Sequence, residues 1–325
     1  MKNNGKAGAF TLSCALLGTF IGAGFASGRE ISEFFVTYGK TGVILSLFSS
    51  VLLFILCGAV MTKSFKGENE VGAAKTLSAL MSFFVLSAML AGFGSMTSML
   101  WGMNPLVGSA IFALILFFLG ALAENGFMAS FNLMVPFMIA LMLFLCLPPA
   151  PHFSDPTQSG SPAFSALLYL SYNFAMMYTA VSALGKNAQS RSSITKSTLI
   201  CCLICALTLV SACFAISSQG LTYEEMPLFT LSQSMPAPMP QFFSACLTAG
   251  IFSTAAGIMV GLLDFLPRFS PKIFKNPVIS CLLILVPSLV LSAVGFSEIV
   301  SKLYRFNGLL GLILIAAVLF KRKRL

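Results

Sequence analysis

The chain has 325 residues, of which 57% are hydrophobic and only 9% charged, with a mean hydropathy of +0.93. A soluble domain carries roughly one quarter charged residues, so this composition excludes the soluble classes and predicts an integral membrane protein. The net charge of +9 does not mark a nucleic-acid binder, because such binding needs a clustered basic face and the basic residues here are scattered between apolar runs.

A span needs roughly 20 apolar residues, and ten candidates follow one another at about 8–37, 40–62, 73–99, 105–123, 127–148, 163–185, 195–217, 239–263, 276–295 and 299–320. Lys2 and Lys6 precede the first run as in a signal peptide, but so many spans follow that the segment is expected to be retained. With the N-terminus inside, 15 of the 19 basic residues fall on cytoplasmic segments, leaving Arg29, Lys40, Lys302 and Arg305 on the other face. The positive-inside rule thus predicts an even number of spans and two cytoplasmic termini, with the whole chain, 1–325, forming one transmembrane domain. The basic tail 321–324 reads as a stop-transfer and lipid-headgroup anchor. All nine cysteines sit inside the apolar runs, where packing is their expected role; neither a disulfide framework nor a metal cofactor is implied.

The first span is written unlike the others, with glycines at 18, 22, 24 and 28 followed by Arg29, Glu30 and Glu33. Each interior glycine weakens a helix by about 1 kcal/mol relative to alanine. Free backbone groups at membrane depth are tolerated only where protein or a watery cavity satisfies them. A break near Gly22–Gly24 would leave two half-helices pointing at a common spot near the midplane, the way secondary transporters build ion and substrate sites. The competing reading is that Gly18, Gly22 and Ala26 form a small face for close helix packing. Gly24 lies off that face and argues for the break.

Ten spans divide into five and five, and since five is odd the second group enters from the opposite side. Inverted repeats at about 8–148 and 163–320 follow if the halves are related. The sixth span, the counterpart of the first, carries Tyr172, Asn173 and Phe174 at mid-depth, and is expected to be interrupted there, although such residues also serve as interhelical hydrogen-bond partners. On the eighth span Gly250, Ser253 and Thr254 stand at i, i+3 and i+4 on one face. Two hydroxyls and a freed carbonyl would suit a hard cation; the alternative is that the hydroxyls bond back to carbonyls one turn earlier.

The run Gly18-Thr-Phe-Ile-Gly-Ala-Gly-Phe-Ala-Ser-Gly-Arg-Glu30, with Phe34-Phe35 and Tyr38-Gly39 after it, resembles the first helix of the YkvI-like bacterial membrane proteins. These are grouped with the amino acid-polyamine-organocation superfamily of LeuT-type fold. The resemblance implies an all-α protein of ten helices in a 5+5 inverted repeat, with discontinuous helices 1 and 6, in a bacterial plasma membrane. It places Gly18 and Ile21 where backbone carbonyls hold a sodium ion, with Gly250, Ser253 and Thr254 as its eighth-helix ligands. Phe25 stands where neurotransmitter-sodium symporters have an asparagine at a second sodium, so one ion site is implied.

The expected function is Na⁺-coupled secondary transport of a small organic solute, an amino acid or related zwitterion, by alternating access. Gly22, Ala23, Gly24, Phe25, Tyr172, Asn173 and Phe174 would line the substrate site, and half-helix N-termini would face an anionic substrate group. The alternative is a solute sensor on a transporter fold, suggested by the resemblance to germinant-receptor permease subunits. No enzyme is expected, since His152 lies in a Pro-rich outer loop and Asp264 and Glu124 sit at helix ends. Gates of opposite charge are expected between Arg29, Glu30 or Glu33 and Glu298, Lys302 or Arg305 on one face, and between Asp264 and Lys2 or Lys6 on the other.

Overall fold

In the computed structural model the first span is interrupted twice, each time at a glycine. Helix α1 (Ala9–Phe20) ends where the Ile21 N–H bonds the Leu17 carbonyl at 2.9 Å, after which Ile21 and Gly22 are extended (ψ 96° and −175°). A short helix α2 (Ala23–Ser27) follows and stops at Gly28, whose φ of +82° is left-handed. Only glycine adopts that region without penalty. Helix α3 (Arg29–Phe34) then leads through a 3₁₀ turn at Val36–Tyr38 into α4 (Gly39–Phe65).

The remaining helices are α5 (Gly72–Trp101), α6 (Pro105–Leu122), α7 (Met134–Leu145), α8 (Pro162–Lys186), α9 (Arg191–Ser218), α10 (Pro227–Gln233), α11 (Met239–Phe265), α12 (Pro277–Ser292), α13 (Phe296–Glu298) and α14 (Tyr304–Leu319). A five-residue π-helical turn, Ile299–Leu303, joins the last two. The structure describes residues 6–67, 72–122, 134–147, 153, 155–268, 274 and 276–319. Lys2, Glu124, His152 and the basic tail lie outside the described residues, as does the side chain of Asp264, and with it the expected pairing to Lys2 or Lys6. Six helical stretches are long and apolar enough to cross a membrane, and four shorter apolar helices accompany them, one in or beside each predicted span. The chain is an all-α membrane protein.

Helix α8 is the central post of the bundle, packed against α4 and α14. The expected interruption of this sixth span is corrected by the structure: α8 runs unbroken from Pro162 to Lys186. Ser171 and Asn173 are satisfied without freeing any backbone. Ser171 donates to the Leu168 carbonyl and across to Gly308 (3.0 and 2.7 Å), and Asn173 bonds back to the Tyr169 carbonyl at 2.9 Å. From neighbouring helices, Ser49 and Ser78 donate to the carbonyls of Ala166 and Ala175. Gly311 of α14 lets that helix approach so closely that a Cβ there would run into the Ser171 carbonyl. Small residues at such crossings let membrane helices pack backbone to backbone.

Lipid takes the place of a core on the periphery. Ile44, Phe48, Leu52 and Ile55 form one exposed stripe on α4, and Leu199, Leu203 and Leu207 another on α9. Spacings of three and four residues put each set on a single helix face.

Candidate functional site

The break at Ile21–Gly22 faces α5 and α11. A Cβ added to Gly22 would lie 3.7 Å from Met89 Cε and 3.9 Å from Thr254 Cγ2. A helix leaves its last four carbonyls without intrahelical partners; here the Leu17 carbonyl is used by Ile21, and among the described residues those of Gly18, Thr19, Phe20 and Ile21 accept no hydrogen bond. The hydroxyls of Ser253 and Thr254 likewise make none among the described residues, although Ser244 and Thr248, earlier on the same helix, both bond back one turn at 2.7 Å. Gly22 thus stands beside Thr254, and the carbonyls of Gly18 and Ile21 just before it are uncommitted, while that of Gly22 accepts from the Ala26 N–H at 2.9 Å. Gly250 differs: α11 is continuous through it, and its missing side chain makes room for Met138 of α7, whose sulfur would be 3.2 Å from a Cβ. Among the described residues no three His, Cys, Asp or Glu side chains converge as a metal site.

The residues expected around the solute fall into two groups. Ala23 and Phe25 are buried in α2, and the Phe25 ring packs edge-on against Phe20 (4.8 Å), which in turn meets Phe54 of α4 (5.8 Å). Phe174 points to its own helix neighbour Tyr178, and the Asn173 amide bonds within α8. Tyr172 instead reaches α3, where its hydroxyl donates to the Glu30 carboxylate. Glu30 folds back over α2 so that its carboxylate occupies the space a side chain on Gly24 would fill. Gly24 is therefore small for a reason that helix propensity does not supply.

On the basic-poor face a charge network closes over these groups. Glu33 accepts from Arg29 at 3.3 Å and from Arg305 of α14 at 3.0 Å. Arg305 also donates to Gln158 (3.0 Å), which holds Thr37 at 3.1 Å, while its guanidinium sits 5.6 Å from the centre of the Phe34 ring. Arg29 reaches the Glu224 carbonyl at 3.2 Å, and Ser32 donates to that of Thr222, so the segment before α10 is tied down as well. The expected pairing of the first and tenth spans is thus realised by Glu33 and Arg305. Among the described residues Glu298 and Lys302 pair only with each other, at 2.5 Å on an exposed turn, and Glu30 turns from this network to the interior.

Sequence reasoning missed Tyr169, Tyr304, Asn307 and Gln158. The available signal was the spacing on α3: Arg29 and Glu33 stand at i and i+4 and satisfy each other, which leaves Glu30 rotated off that face with no charge of its own to meet.

No family model matches the chain. It is 23% identical to the uncharacterized membrane protein YkvI of Bacillus subtilis (strain 168), covering 98% of this chain and 97% of that one. It is also 23% identical to the uncharacterized protein YyaD of the same organism, with 94% of each covered. Among solved structures it resembles the inward-facing conformation of Mhp1, a nucleobase-cation-symport-1 family transporter, with a TM-score of 0.66 at 17% identity over 100% of this chain and 81% of the other. It also resembles MhsT in complex with L-phenylalanine, with a TM-score of 0.64 at 12% identity over 96% and 89%. The chain has the LeuT-type fold of these proteins.

Proposed function

We propose that the chain is a secondary transporter that carries a small organic solute, an amino acid or related zwitterion, by alternating access and in symport with Na⁺. The observation that supports this reading is the first-span break, which leaves four carbonyls without a hydrogen bond among the described residues and sets Gly22 beside Thr254 of α11. Na⁺ prefers oxygen ligands, and unwound carbonyls at half-helix C-terminal ends are where transporters of broken-helix design hold it. The carbonyl end of α1 also carries the negative end of the helix dipole. Gly18, Ile21, Ser253 and Thr254 supply the oxygens in this reading, and the solute lies on the other side of the break, toward Gly24, Glu30 and Tyr172.

Alternating access needs a closure that can open. The Glu33–Arg305 pair suits that role, because Arg305 is still partly exposed (28%) and partly solvated ion pairs are worth little net free energy. We take this basic-poor face as the outer one and place both termini in the cytoplasm of a bacterial plasma membrane.

The test is accumulation of radiolabelled amino acids by proteoliposomes under an imposed inward Na⁺ gradient. Uptake above the internal volume, abolished when K⁺ replaces Na⁺, is the expected result. Solute binding with no accumulation under any gradient would make the protein a sensor instead.

A further inference from the structure

The buried charges among the described residues are Arg29, Glu30 and Glu33. Arg29 and Glu33 pair with each other, and Glu33 pairs also with Arg305. Glu30 is as deeply buried, at 5% exposed, and its carboxylate has the Tyr172 hydroxyl as a partner but no cation among the described residues. An isolated carboxylate is among the most costly groups to bury, and an ionisable side chain inside a membrane protein points to a function. The nearby cations are already engaged, Arg29 by Glu33 and the Glu224 carbonyl, Arg305 by Glu33 and Gln158.

Around this carboxylate the protein supplies aromatic faces and polar atoms that bond nothing among the described residues. The Tyr172 ring is flanked by Tyr304 at 5.0 Å and by Phe34 and Tyr169, each at 5.6 Å. The Tyr169 and Tyr304 rings thus pack on the residue that bonds Glu30, and their hydroxyls are fully buried without a hydrogen-bond partner among the described residues. Asn307, one turn beyond Tyr304 on the same side of α14, is 0% exposed with both amide atoms unpartnered. Each such group lowers stability unless something pairs with it.

We propose that this buried cluster of Glu30, Tyr169, Tyr172 and Tyr304 receives a primary ammonium group of the solute. The assignment rests on the transporter reading for the position of the solute at the first-span break, two residues from Gly24. An ammonium group carries the charge that Glu30 lacks and donates three hydrogen bonds, enough for the carboxylate and two tyrosine oxygens together. Aromatic faces add attraction for a cation. A proton on Glu30 would meet only the first of these needs, since it would leave the hydroxyls of Tyr169 and Tyr304 as they are.

The experiment measures equilibrium binding and thermal unfolding of the full chain in detergent with matched sets of probes. L-alanine, ethylamine and propionate form one set; L-leucine, isoamylamine and 4-methylpentanoate a second; L-phenylalanine, 2-phenylethylamine and 3-phenylpropionate a third. In at least one set the ammonium-bearing members bind and the deaminated acid binds at least tenfold more weakly. Glu30→Gln, which keeps the shape and a hydrogen bond to Tyr172, weakens ammonium binding tenfold or more, and Glu30→Asp recovers part of the loss. Tyr304→Phe guards against a folding artefact: it removes an unpartnered hydroxyl, so the unfolding temperature holds or rises while ammonium affinity falls. The proposal is overturned if no probe binds, if the acid binds as well as its amine, or if Glu30→Gln binds amines like the parent. It also fails if Glu30→Gln changes only the dependence of uptake on a pH gradient, which would make Glu30 a proton carrier. Binding decides this proposal and accumulation in proteoliposomes decides the transport reading, so either can fail while the other stands.

Discussion

The first and sixth spans carry comparable interruptions in sequence, glycines in one and Tyr172-Asn173 in the other, yet only the first leaves helical geometry. In α8 the side chains of Ser171, Tyr172 and Asn173 each bond a carbonyl of their own helix or a group on a neighbour. Hydrogen bonds of that kind add to the backbone ladder and do not replace it. At Ile21–Gly22 no side chain substitutes for the lost ladder, and four carbonyls are left open. Polar content inside a membrane helix is thus compatible with an unbroken backbone, whereas glycine followed by extended backbone leaves carbonyls open.

Substitutions at glycines of the two spans and their contacts sharpen the contrast, and the largest effect belongs to the unbroken one. A Cβ on Gly311 would meet the carbonyl of Ser171 and the Tyr172 nitrogen, backbone atoms that cannot move aside. Gly311→Leu should therefore cost about 3 kcal/mol or more, at the upper end of overpacking, read as a fall in unfolding temperature in detergent. Next comes Gly24→Ala. The obstacle there is the flexible Glu30 side chain, so the stability cost is smaller, about 1–2 kcal/mol, while solute affinity drops at least tenfold because the carboxylate is displaced. Asn173→Ala, which removes one bond internal to α8, should cost about 1 kcal/mol with no change in ion response. Smallest is Gly22→Ala: φ there is −104° and the new methyl makes only ordinary contacts, so stability changes by about 0.5 kcal/mol or less. If Gly22→Ala destabilised more than Gly24→Ala, Gly22 would be a packing position and the contrast drawn here would collapse.

The ten helical segments and the break near Gly22 are legible because both rest on local chemistry, apolar run length in one case and backbone freedom in the other. The second break, at Gly28, was not expected, because the demand for glycine there comes also from Leu228 of α10, distant in sequence, whose side chain lies where a Cβ would be. The continuity of α8 was hidden for a similar reason, since it depends on Gly308 and Gly311 of α14. Among the charges at the first-span end, sequence order gave a set of candidates for pairing with the tenth span. Choosing Glu33 for Arg305 and sending Glu30 inward required the turn at Gly28, which sets where each α3 side chain points.

The claim that the broken first span and α11 together form an ion site is tested most directly by the unfolding temperature of the detergent-purified protein in NaCl and in KCl at equal ionic strength. Ligand that binds only the folded state stabilises it by mass action, about 2.7 kcal/mol at a hundredfold excess over Kd. The account predicts a Na⁺-specific rise in the parent protein, lost in the Ser253→Ala/Thr254→Ala double variant, with both proteins unfolding alike in KCl. No difference between the two salts for the parent, or an undiminished Na⁺ response in the double variant, would contradict it.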